Sequence, residues 1–62
     1  MSKPKVKLTG VDSNVFNLLG ICTSALKKNG QVDEAKELTT RVFSAGSYDQ
    51  AIAIMMEYVD VN

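Results

Sequence analysis

Hydrophobic and polar residues follow one another along this chain at the spacing of three helices, with a shorter alternating stretch near each end. The first helix is predicted over residues 13–30, because Ser13 or Asp12 can cap its first turn and Asn29-Gly30 can end it in a left-handed turn. Apolar residues cover roughly 220° of its circumference, more than the ~100° that packing against one partner requires. They are Val15, Phe16, Leu18, Leu19, Ile21, Cys22, Ala25 and Leu26. We therefore expect this helix to lie at the centre of the fold.

A second helix is predicted directly after Gly30, and Gly46 is expected to end it. Its apolar face is made by Val32, Ala35, Leu38, Val42 and Ala45, with Phe43 beside it. On the polar face, Glu37 and Arg41 are four residues apart and are expected to pair with each other. The pattern is that of an amphipathic helix whose apolar face is narrower than that of the first helix.

A third helix begins at a capping box, in which Ser47 precedes Gln50 by three residues. Its core face is predicted to contain Tyr48, Ala51, Ile52, Met55 and Val59, broadened by Ile54 and Met56. The adjacent Met55 and Met56 could fill the core or form an adaptable binding surface, and methionine at helical spacing more often fills the core.

Residues 5–9 and 58–61 alternate between apolar and polar side chains, which predicts a short strand at each end of the chain. The apolar members, expected to share the face that rests on the helices, are Val6, Leu8, Val59 and Val61. On the other face, Lys5 or Lys7 would lie near Asp60 and bring opposite charges together. The predicted fold is one α+β domain over residues 1–62, in the order β-α-α-α-β. It has a three-helix core, a two-stranded sheet of the terminal strands, and a loose tail at residues 1–4.

The direction of the two strands is open on the sequence. Chain reversals through three helices would make the strands parallel. Antiparallel pairs are two to three times commoner overall, however, and a parallel sheet of two strands is poorly protected from water. The expectation is therefore an antiparallel pair.

A candidate interaction surface follows the first helix at a spacing of four residues. Phe16, Gly20 and Ser24 would form a shallow channel that starts at an aromatic ring and continues over two small residues, with Asn17 beside it. Gly20 costs about 1 kcal/mol relative to alanine inside a helix, which indicates that something approaches the backbone there. One interpretation is that the chain's own third helix or sheet fills the channel. The other is that a partner protein or a second copy of the chain fills it.

The composition is that of one small globular domain: 62 residues, 45% of them hydrophobic and 23% charged. The chain has no histidine, and its one cysteine, Cys22, lies on the apolar stripe, so the sequence offers neither a zinc site nor a nucleophile with a base. Asp33, Glu34 and Glu37 lie on the polar side of the second helix, where carboxylates are usually solvated. The four glycines are scattered and form no phosphate-binding loop. We therefore predict a protein that is not an enzyme and that uses no metal or cofactor.

Small size favours association with another chain. A domain of this length buries only about 60% of the surface of its unfolded chain, and one cysteine cannot form an internal disulfide. Self-association as a homodimer is therefore expected more often than for larger domains. No segment reaches the ~20 apolar residues of a membrane span, and the first residues lack the apolar run of a signal peptide. These features predict a cytoplasmic protein with no membrane partner.

The charges are unevenly distributed although the net charge is zero. Residues 1–30 carry five lysines and one aspartate, whereas residues 31–62 carry two cations and six carboxylates. Lys3, Lys5 and Lys7 form a candidate basic patch that suits phosphate contacts. No aromatic residue is interleaved with them, and Asp60 would neutralise part of the patch if the terminal strands pair. Weak nucleic-acid binding is therefore the alternative function, and nucleic acid is the less favoured partner.

Several segments of the chain resemble a group of very short uncharacterised bacterial and phage-associated proteins. They are VKLTG at 6–10, DSNVF at 12–16, LG at 19–20, SYD at 47–49 and MEYVDV at 56–61. The similarity covers most of the chain except residues 31–45, and its motifs are tied to no chemistry. The resemblance implies a genomic setting on a mobile element, without an activity or a catalytic residue. The sequence as a whole predicts a small protein-interaction module whose partner is an unknown protein or a second copy of the chain.

Overall fold

The computed structural model describes residues 3–7 and 14–61. Its elements are β1 (Lys5–Val6), α1 (Val15–Lys28), α2 (Val32–Phe43), α3 (Tyr48–Tyr58) and β2 (Asp60–Val61). The predicted α+β fold, with the order β-α-α-α-β and a sheet formed by the two terminal strands, is confirmed. Leu8 and Thr9, which the sequence placed in the first strand, lie outside the described residues.

Helix α1 contacts α2, α3 and β1 and contributes four buried residues, more than α2 or α3. Its buried residues are Leu18, Leu19, Cys22 and Leu26. The cap at its start is Asn14, whose side-chain oxygen accepts a hydrogen bond from the Phe16 N–H at 2.9 Å. Ser13 and Asp12, the predicted caps, lie outside the described residues, and asparagine is as good a capping acceptor as either. The prediction of the capping residue was therefore wrong by one position.

The end of α1 matches the sequence prediction. Gly30 has a φ of 77°, the left-handed conformation that glycine adopts without steric cost. The Gln31 N–H donates to the Leu26 carbonyl at 2.8 Å, and the Gly30 N–H donates to the Lys27 carbonyl at 3.1 Å. These two bonds to carbonyls of the last turn have the pattern of a Schellman motif. They also turn the chain sharply into α2.

Helix α2 ends earlier than predicted, at Phe43 and not at Gly46. The Ser44 N–H still donates to the Thr40 and Arg41 carbonyls. The face that α2 buries consists of Ala35, Leu38 and Val42. Val32, at the first position of the helix, is 45% exposed because it lies at the end of this face.

Helix α3 begins at the predicted cap. The Ser47 hydroxyl oxygen accepts from the Gln50 N–H at 3.1 Å. The Gln50 side chain, however, accepts from the Gly46 N–H and not from Ser47, so only half of the capping box forms as predicted. Met55 is fully buried in the core, whereas Met56 is 53% exposed, which answers the question that the sequence left open.

The two strands are parallel, so the antiparallel expectation was wrong. Lys5 pairs with Asp60 and Val6 with Val61 in the register, and the Asp60 N–H donates to the Pro4 carbonyl at 2.9 Å. Three helices connect the strands, so the chain reverses direction four times, and this even number brings the second strand back to the direction of the first. Val6 is buried and covers the helices as predicted, whereas Val61 is 37% exposed.

Val59, which was also predicted to face the helices, precedes β2 as an extended residue and contributes to the core. It is only 1% exposed and lies among the fully buried residues, which also include Cys22, Leu26, Leu38 and Met55. The core thus receives residues from all three helices, from β1 through Val6, and from Val59 beside β2. Within residues 3–7 and 14–61, no helix is long and apolar enough to cross a membrane.

Candidate interaction surface

The four residues predicted to form an interaction surface lie together. Phe16, Gly20 and Ser24 follow one exposed face of α1, and Asn17 is beside them. All four line an open groove of about 870 Å³ between α1 and β1, which we call the α1 groove. Its other lining residues are Lys5 and Val6 of β1 and Ile21, Ala25 and Lys28 of α1.

Gly20 leaves the backbone of α1 uncovered within the α1 groove. A Cβ atom placed on Gly20 would meet no described atom within 4 Å, the adjacent backbone of its own helix aside. Neither α3 nor β2 contributes to the lining, and β1 borders the groove without filling it. The described residues therefore leave the predicted channel open. Packing among them does not explain why the chain accepts the cost of about 1 kcal/mol that glycine brings to a helix.

A second apolar surface adjoins the first at Phe16. The rings of Phe16 and Phe43 lie 5.9 Å apart between centroids, with their planes inclined by 60°. Phe16 is 63% exposed, Phe43 is 66% exposed and Tyr48 is 47% exposed. The three side chains line a hollow of about 290 Å³, and we call this surface the aromatic patch. Contiguous exposed aromatic residues of this kind are typical of contact sites on proteins.

The sequence did not predict the aromatic patch. It placed Phe43 beside the apolar face of α2 and Tyr48 on the core face of α3, and it related neither to Phe16. Phe43 is the last residue of α2 and Tyr48 is the first residue of α3. These positions at helix ends were the signal that could have indicated exposure, because the core covers side chains less completely at the ends of a helix than in its middle.

The three lysines of the candidate basic patch have different surroundings. The Lys3 ammonium lies 3.4 Å from the Met56 carbonyl, on the side of α3. Lys5 is paired with Asp60 in the register and lines the α1 groove, and Lys7 is exposed. Lys3 and Lys5 thus lie beside groups of opposite charge or partial charge, which weakens their attraction for phosphates.

Arg41 has a different partner from the one predicted. Its guanidinium binds both carboxylate oxygens of Glu57, at 2.9 and 3.1 Å, and donates to the Tyr58 hydroxyl at 3.1 Å. The Tyr58 hydroxyl in turn donates to the Glu37 carboxylate. The hydrogen bonds from Arg41 lower the pKa of Glu57, and desolvation together with the bond to Glu37 raises the pKa of Tyr58. The predicted pair of Glu37 and Arg41 is replaced by a network that joins α2 to α3.

This network binds the two helices to each other. Each of its members has a partner within the network, and none of them lines the α1 groove or the aromatic patch. Among the described residues, no group of histidine, cysteine, aspartate and glutamate side chains could hold a metal ion.

Cys22 lies inside the core, as predicted. It has no exposed surface, and burial raises the pKa of its thiol. Since the thiolate is the reactive form, we expect Cys22 in the folded protein to react with a thiol reagent such as DTNB at least tenfold more slowly than in urea. Labelling followed by absorbance at increasing urea would measure this. An equally fast reaction without urea would show that the first helix opens to solvent far more often than this core permits.

Comparisons with models of protein families, with curated proteins and with solved structures found no match to this chain.

Proposed function

We propose that this protein is a non-enzymatic interaction module that binds another protein, or a second copy of itself, through the α1 groove and the aromatic patch. The observation that carries the proposal is Phe16, which is 63% exposed and lines both surfaces. One large apolar side chain on the surface of a protein is ordinary, whereas one shared by two adjoining concave surfaces favours a contact site.

The energetics support the same conclusion. Burial of an exposed phenylalanine side chain contributes roughly 1.5–3 kcal/mol, and interface energy is concentrated in a few aromatic anchors. Phe16 and Phe43 project from helices that are held in the core by buried residues such as Leu19 and Leu38. A partner would therefore meet rings that are already positioned and would lose little conformational entropy in ordering them.

The absence of enzymatic activity remains part of the proposal. The ionisable side chains that approach one another, in the network of Arg41, lie on an exposed helix surface outside both concave regions. Catalytic groups, by contrast, are usually found in clefts where burial and neighbouring charges adjust their pKa values. We further propose a cytoplasmic location and a mobile element as the genomic setting, on the basis of the composition and of the resemblance to phage-associated proteins.

The test is the double variant Phe16→Ser/Phe43→Ser. Tagged wild-type protein is used to capture partners from cells that express it, and light scattering after gel filtration measures self-association. We expect the variant to remain folded and to lose at least 90% of the captured partner or of the dimer. Met56→Ser is the matched control, because Met56 is also exposed but lies outside both surfaces. Equal association of the double variant and wild type would contradict the proposal.

A further inference from the structure

The outer edge of β1 is unpaired in the described part of the chain. The sheet has two strands, and β1 has β2 on one side only. The Pro4 carbonyl faces β2, since it accepts from the Asp60 N–H. Backbone groups of successive residues in a strand point to opposite edges, so the N–H and C=O of Lys5 point away from β2. Such an edge is a template for another strand.

This outer edge borders the α1 groove. Lys5 and Val6 line the groove together with Phe16, Gly20 and Ser24 of α1, whereas β2 lines none of it. A strand added beside β1 would lie ~4.8 Å from it and would therefore occupy the space above this face of α1. The lack of a Cβ atom at Gly20 and the small side chain of Ser24 leave room for it there. The exposed ring of Phe16 would cover one of its apolar side chains.

The groove also has the length that an extended segment needs. From Phe16 to Lys28 the helix rises by ~18 Å, which five or six residues of a strand would span. The main chain of an added strand would bind the edge of β1, and alternate side chains would meet α1. This mode of recognition gives affinity through the backbone and specificity through the side chains.

The charges of the groove indicate the chemistry of the occupant. Among residues 3–7 and 14–61, Lys5 and Lys28 line the groove and no carboxylate does. A second copy that paired its own β1 antiparallel with this edge would bring its Lys5 side chain near that of the first copy, which is unfavourable. A second copy that offered its acidic β2 instead would form a head-to-tail contact that does not close into a dimer. An acidic segment of another protein avoids both difficulties.

We propose that the outer edge of β1 and the α1 groove bind an extended, acidic peptide segment of a partner protein, which is added to the sheet as a third strand. This inference rests on the proposed interaction function and names the partner's chemistry. The partner segment alternates apolar with acidic residues and contains no proline in the stretch that pairs with β1.

The test begins with a random twelve-residue peptide library displayed on phage and selected on the immobilised protein. We expect the selected peptides to be rich in Asp and Glu that alternate with apolar residues. Synthetic copies should change the amide NMR signals of Lys5, Gly20 and Ser24. Two methylated forms of each peptide are then compared, one with methyl groups on the odd-numbered backbone nitrogens and one with them on the even-numbered nitrogens. One form should bind at least tenfold more weakly and the other as well as the unmodified peptide, because only one edge of the added strand pairs with β1.

Gly20→Leu should weaken these peptides at least tenfold. The Cβ position is open, so the variant should fold, and Gly20→Ala should melt at the same temperature as wild type or higher. Ala53→Leu is the control, because Ala53 is exposed on α3 outside both surfaces. If Gly20→Leu is unfolded, the peptides are tested on Gly20→Ala instead. We expect this variant to bind the peptides several-fold more weakly than wild type does.

Other outcomes would overturn the inference. Selected peptides that are helical and basic, an absence of selected peptides, or slow hydrogen exchange at Lys5 in the free protein would each do so. If an oligonucleotide displaced the peptides at 150 mM salt, the occupant of the groove would be a nucleic acid. If the protein formed a dimer that Gly20→Leu dissociates, the occupant would be a second copy of the chain. Peptides that bind and that lose affinity on Phe43→Ser but not on Gly20→Leu would leave the proposed interaction function intact while rejecting this site.

Discussion

Removal of residues 59–62 is expected to leave the chain largely unfolded at room temperature. Val59 is 1% exposed, and its burial contributes roughly 1.5–3 kcal/mol. The truncation also removes β2, whose Asp60 N–H binds the Pro4 carbonyl at 2.9 Å, so that the buried Val6 loses the strand beside it. At roughly 0.05–0.15 kcal/mol per residue, a domain of this length has a total stability of about 3–9 kcal/mol. The expected loss is comparable with that total.

The measurement is a thermal melt followed by far-UV circular dichroism, compared between the truncated chain and the full chain. A shorter truncation that removes residues 61–62 is the control, since it keeps both Val59 and the hydrogen bond of Asp60 and removes the 37% exposed Val61. We expect this control to keep a cooperative melt. If the longer truncation melts within a few degrees of the full chain, the parallel strand pair contributes little and the core does not depend on Val59.

The elements of this fold could be predicted because each has a local signal. The wide apolar stripe of α1 indicated a central helix, and Gly30 and Ser47 marked a helix end and a helix start that the structure confirms. The cap at Asn14 was missed because three adjacent residues could each have provided the acceptor, and the choice depends on how the chain enters the helix. Local signals thus fix the helices to within a few residues at their ends.

Strand direction and ion pairing could not be predicted in the same way. The general preference for antiparallel pairs was given more weight than the number of helices between the strands, although that number decides the direction in so short a chain. Arg41 was paired with Glu37 because the two are neighbours on one helix, whereas Glu57 on α3 offers two oxygens to the guanidinium. Both features depend on contacts between residues that are far apart in the sequence, which local patterns do not specify.

The candidate surface, too, was predicted where it depends on local spacing and missed where it depends on distant contacts. Phe16, Gly20 and Ser24 were grouped correctly, because residues four apart on a helix share a face whatever surrounds them. That β1 forms the other side of the groove, and that the Phe43 ring contacts the Phe16 ring, depend on how the helices pack. Sequence spacing therefore found one side of the site only.

Replacement of Leu38 by alanine is expected to destabilise the protein by about 2–5 kcal/mol, which in a domain of this size leaves much of the chain unfolded. Leu38 has no exposed surface and lies on the core face of α2, so the variant leaves a cavity among side chains from the other helices. Alanine favours the helix slightly, and the loss is therefore attributable to packing.

Phe43→Ala is the matched control for Leu38→Ala, because it shortens a larger apolar side chain on the same helix. Phe43 is 66% exposed, and its described ring contact is with Phe16, a kind of contact that contributes about 0.5–1.5 kcal/mol. Urea unfolding of both variants, followed by circular dichroism, should show a large shift of the midpoint for Leu38→Ala and a shift less than half as large for Phe43→Ala. If the two losses were equal, Phe43 would be a core residue in solution. The aromatic patch would then contribute to folding and not to the binding of a partner.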